Sequence, residues 1–143
     1  MAKKTHLLDA MIDQHDAMYC GIILHGGKML TGEALYALDA LSKWQYNEFD
    51  GKKVSKWLEK LLLKNAKVQV GREYSPCLYV TIPHLGLNKA GKDKEVTFAQ
   101  AVMAQGKKLK ADEIGMEKRI RLPIAENDDG RFAASYVVRL WWD

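Results

Sequence analysis

A chain of 143 residues, 48% apolar and 28% charged, with three prolines and no low-complexity tract, has the composition of one folded domain and excludes a disordered or fibrous segment. Lysine and arginine outnumber aspartate and glutamate by 22 to 18, a formal charge of +4, so what matters is where the excess lies. The two cysteines, Cys20 and Cys77, make neither a disulfide framework nor a zinc site, and no apolar run is long enough to span a bilayer, so a cytoplasmic protein without membrane partners is expected.

The opening Met-Ala-Lys-Lys-Thr-His runs directly into an amphipathic pattern, unlike a signal peptide. Thr5 can cap a first helix whose apolar stripe runs from Leu7 to Ile23, and His25-Gly26-Gly27 can close it. Gly21 weakens the helix near its end, so a strand over Met18 to Leu24 is the alternative there. His6, Asp9, Asp13 and Asp16 share the opposite face, and no second ligand-rich element accompanies them, so a solvated face is expected rather than a metal or acid/base cluster. Thr31-Gly32-Glu33 starts a second helix through about Tyr46, with Ala34, Leu35, Leu38, Leu41 and Trp44 inward, and Asn47 to Gly51 supplies a turn.

The best-ordered stretch is 50–65. Val54, Trp57, Leu58, Leu61 and Leu62 fall on one face of a third helix, while Lys53, Lys56, Lys60 and Lys64 line a second face. Asp50 can cap it, and Asn65 suits its exit. Lys67 to Val70 and Cys77 to Ile82 alternate as strands, joined by the loop Gly71 to Pro76. His84 to Lys94 reads as an exposed connection, and Thr97-Phe-Ala-Gln100 opens a fourth helix that Gly106 ends. Lys118 to Leu122 and Phe132 to Trp142 are strands flanking the turn Glu126 to Gly130. The expected fold is therefore α+β: three N-terminal helices, then a mainly antiparallel four-stranded sheet made of two hairpins separated by a helix. One domain over 1–143 is expected, divisible into a helical part to residue 82 and a helix plus hairpin from residue 83.

Charge is unevenly spread. Residues 51–72 hold seven basic and one acidic side chain, whereas 1–50 hold four basic and seven acidic. The order helix, turn, amphipathic helix, hairpin over 32–82 resembles the layout of winged-helix DNA-binding domains, without any sequence motif of that family. That resemblance implies a third helix in the major groove and a hairpin tip on the backbone. The contacts would then come from Lys52, Lys53, Ser55, Lys56, Lys60 and Lys64, with Arg72 and Tyr74 on the loop. Lysines serve phosphates well but read bases poorly, so a non-catalytic DNA- or RNA-binding domain of low sequence specificity is expected. Lys52 and Lys53 also stand at the helix end where the dipole disfavours cations by about 0.3–1 kcal/mol each, which an anionic ligand would offset.

Catalytic readings fare worse. His25-Gly-Gly-Lys28 lacks the spacing of a phosphate loop, nothing nearby activates Cys77, and a Cys77–His84 dyad depends on the fold. The acids at 126, 128 and 129 read as a turn. No catalytic residue, cofactor or metal site is expected. The alternative function is a protein-interaction or assembly module, such as an inhibitory accessory protein or a homodimer. It would dock through charged helix faces and the adjacent Trp141 and Trp142, which strand alternation sends to opposite faces.

Overall fold

The computed structural model describes residues 22–73, 75–86, 88–121 and 133–143. Strands β1 (Ile22–Leu24), β4 (Lys67–Glu73), β5 (Ser75–Thr81), β6 (Glu113–Arg121) and β7 (Ala133–Trp141) form one antiparallel sheet in the order β1-β4-β5-β7-β6. Direct cross-strand pairing aligns Leu24, Val68, Val80, Val138 and Met116 in one row, and Val70, Leu78, Leu140 and Ile114 in the next. Both rows share one face. Helices α1 (Gly32–Ser42), α2 (Gly51–Leu63) and α3 (Lys89–Lys108) contribute Leu38, Leu41, Leu58, Leu62, Ala99 and Val102 to the same apolar cluster, so burial of this face holds the fold together. Between α1 and α2 a two-stranded ladder, β2 (Gln45–Tyr46) with β3 (Phe49–Asp50), delivers Phe49 to the core. Phe49 lies tilted against Trp44 at 5.1 Å and meets Trp142 edge-on at 4.9 Å.

The α+β class stands, but the expected arrangement does not. Helices are interleaved with strands, and the main sheet has five strands rather than four. Ile22–Leu24, assigned to the end of a first helix, pairs with β4; three residues are too few for a period of 3.6 to be told from one of 2. The remainder of that helix, with Asp9, Asp13 and Asp16, lies outside the described residues. The winged-helix layout fails on two counts. A β-ladder separates α1 from α2, and the β4–β5 hairpin is the middle of a sheet, flanked by β1 and β7, rather than a free wing. Its strands also run to Glu73 and Ser75, so most of the expected loop 71–76 is ladder.

The largest misreading concerns α3. It starts at Lys89 rather than Thr97, because the Asn88 carboxamide oxygen accepts from the Gly91 amide at 2.8 Å. Its two glycines are contact points, not breaks. A Cβ on Gly91 would stand 2.6 Å from Gly86 Cα, and one on Gly106 would stand 2.5 Å from Leu140 Cδ2. Gly26, expected to end a helix by a left-handed turn, instead allows the chain to cross the end of α2; a Cβ there would meet the Leu62 carbonyl oxygen at 2.5 Å.

Candidate functional site

Helix α2 forms where expected. The Asp50 carboxylate accepts from the amides of Lys52 and Lys53 at 3.1 and 3.3 Å, and Asn65 leaves the helix at a φ of 67°. Val54, Leu58 and Leu62 are wholly buried and Leu61 nearly so. That fixes the rotation of the helix about its axis and turns Lys53, Lys56, Lys60 and Lys64 to the surface. Lys52 is exposed beside them. Residues 51–64 contain five lysines and a single acid, Glu59. Among the described residues none of these five ammonium groups forms an ion pair, whereas Lys43 pairs with Asp39, Lys110 with Glu48, Lys92 with Glu95 and Arg139 with Glu113. The ridge is therefore a row of charges that form no salt bridge among the described residues, with Lys53 alone close enough to an acid, Asp50, to lower its pKa.

Other expected contacts are placed differently. Ser55 faces inward and its hydroxyl donates to the Leu38 carbonyl at 2.7 Å, tying α2 to α1. Arg72 lies in β4 opposite Pro76, and Tyr74 lies outside the described residues. Trp142 is fully buried and its indole N–H donates to the Leu109 carbonyl at 2.8 Å, whereas Trp141 is half-buried on the other sheet face. The anion expected at the α2 N-terminus is in part the chain's own. Asp50 occupies that position, and its carboxyl is held below the ordinary aspartate range, first by the Gln45 side-chain amide at 3.2 Å and then by the two capping amides and the Lys53 charge.

Sequence reasoning missed what lies beside the ridge. Trp57 sits between the lysine stripe and the buried stripe, and is half-buried rather than core. With Leu61 and Lys64 it forms one wall of a groove of about 320 Å³. Lys94, Thr97, Phe98 and Ala101 of α3 form the other wall. The only available signal was the half-apolar turn after Lys94, obscured by reading 84–94 as a loop. A second cleft, of about 230 Å³, mixes Lys53, Lys108 and Lys110 with Asp50 and Glu48, so its charges offset one another.

The catalytic candidates separate. Cys77 is buried in β5 opposite Trp141, while His84 lies beyond the other end of that strand; the four steps from Cys77 to Thr81 alone span about 13 Å. His84 instead places Nδ1 3.1 Å from Oε1 of the buried Glu95, an oxygen that also accepts from the Leu85 amide at 3.2 Å. Glu95 Oε2 makes no hydrogen bond among the described residues and has Lys92 Nζ at 3.8 Å. This cluster fastens His84 and Leu85 to α3. Among the described residues no three of His, Cys, Asp and Glu gather as metal ligands, and no helix is long and apolar enough to cross a membrane. The acidic turn at 126–129 lies outside the described residues. Comparison with protein-family models, with curated proteins and with solved structures found no match.

Proposed function

We propose that this chain binds nucleic acid through the α2 ridge, without catalysis and with little preference for base sequence. The supporting observation is the alignment of Lys53, Lys56, Lys60 and Lys64 along one exposed face, none paired with an acid among the described residues. Four cations on successive turns of a rigid helix can each release a condensed counter-ion when they meet phosphates, and that release drives association. Lysine ammonium groups satisfy phosphates as point charges, while bidentate base readout needs the fork of arginine or the amide of asparagine, which this face lacks. The contacts are therefore to backbone. Ser55 takes no part because its hydroxyl is spent on Leu38.

The test is a gel-shift series on single- and double-stranded probes at low salt, comparing the wild type with the triple variant Lys53→Glu, Lys56→Glu, Lys60→Glu. All three positions are exposed, so the variant should keep its circular dichroism spectrum, and its urea stability should change by no more than about 0.5 kcal/mol per replacement. Loss of the shifted band by a folded variant is expected. A wild-type chain that shifts neither probe, or a folded variant that shifts both as before, would remove the proposal.

A further inference from the structure

Resting on that reading, we infer that the groove between α2 and α3 accepts an unpaired nucleobase, so that the preferred partner is single-stranded nucleic acid. The ridge and the groove are continuous. Lys64 belongs to both, and Trp57, which lines the groove, lies one helical step from Lys53 and Lys60. Opposite Trp57, α3 presents Phe98, so two aromatic side chains line one opening from facing helices. Both are half-buried, held by packing on the core cluster yet still offering surface.

Cations flank the opening on both sides, Lys64 on α2 and Lys94 on α3, and among the described residues neither forms an ion pair. Aromatic surface and unpaired lysines lining one groove complement a nucleotide, whose base is a flat π-system and whose phosphate is an anion. Non-specific single-strand binders combine these same two elements, a cationic track and stacking side chains. A duplex keeps its bases stacked inside and can offer the ridge only phosphates. The volume of about 320 Å³ lies at the small end of ligand clefts, suited to one base rather than a stacked run. The Thr97 hydroxyl, which also lines the groove, donates to the Asp93 carbonyl at 2.9 Å and so offers a base only its acceptor lone pairs.

The groove and the ridge can be tested apart. Affinity for a fluorescein-labelled oligothymidine and for a duplex of equal length is measured by anisotropy. The proteins compared are the wild type, Phe98→Ala, and Ala101→Trp, which fills the groove from an exposed wall without removing core. Both variants should bind oligothymidine roughly 5- to 150-fold more weakly, the span of one stacked base, with the duplex unaffected. Quenching of tryptophan fluorescence by oligothymidine should be lost in Trp57→Phe. Equal affinity of the wild type for both probes, with neither groove variant altering either, overturns the base pocket and leaves the ridge standing. Weakened binding of both probes by both groove variants also overturns it, since the groove then serves the fold or the backbone. No binding of either probe by the wild type at low salt overturns the ridge, and the groove with it.

Discussion

Replacing Trp142 by alanine tests the core from its far end. The side chain is fully buried, lies edge-on to Phe49 at 4.9 Å, and donates its indole N–H to the Leu109 carbonyl at 2.8 Å, just beyond α3. Truncating a buried tryptophan costs about 3–5 kcal/mol in lost transfer energy and residual cavity. Total stability for a chain of this length is on the order of 7–20 kcal/mol, so the variant should fold but with a much lower urea midpoint. Trp142→Phe separates the two contributions. It keeps a buried ring but leaves the Leu109 carbonyl without its donor, a loss of about 1–3 kcal/mol. Trp141→Ala should cost less than Trp142→Ala, because Trp141 is half-buried on the opposite face. Urea denaturation followed by far-UV circular dichroism, which does not depend on the deleted indole, gives all three values. A loss for Trp142→Ala no greater than that for Trp141→Ala would contradict the strand register, since a shift of one residue exchanges their faces.

Three further outcomes are expected. Asp50 has its folded-state carboxyl held low, so its contribution is present above the ordinary aspartate range and lost as pH falls through the folded value. Asp50→Asn keeps a cap without the titration, so the stability difference between wild type and variant should shrink or reverse on acidification; a difference constant with pH would contradict this. Gly91→Ala should destabilise by about 1–3 kcal/mol in urea despite the ~1 kcal/mol helix preference for alanine, because the obstacle is Gly86 backbone; a stabilised variant would mean the loop yields. Ser55→Ala should cost about 0.5–1.5 kcal/mol by removing the bond between α2 and α1, while the Leu38 carbonyl keeps its helical partner, and leave nucleic-acid affinity unchanged; an affinity loss at full stability would return Ser55 to the interface.

How much of this was legible depended on how local each signal was. Helix α2 could be read almost to the residue, since Asp50, the five-residue apolar stripe and Asn65 all lie within sixteen positions. The lysine ridge followed from the same periodicity. Helix α3 was shortened because Gly91 and Gly106 look like breakers; their reason, contact with Gly86 and Leu140, lies outside the helix. Strand β6 carries alternating Ile114 and Met116, but Gly115 and the surrounding charges hid them. The groove could not be read at all, because Trp57 and Phe98 are 41 positions apart and come to line one opening only once both helices are laid on the sheet.

The most direct measurement of the central claim is the dependence of the oligothymidine binding constant on salt concentration. Four or five ridge lysines, each contributing about −0.7, give an expected slope of roughly −3 to −3.5 in log K against log salt. Each single replacement, Lys53→Gln, Lys56→Gln or Lys60→Gln, should lower its magnitude by about 0.7. A slope near zero, or one that all three replacements leave unchanged, would place the binding energy elsewhere on the molecule.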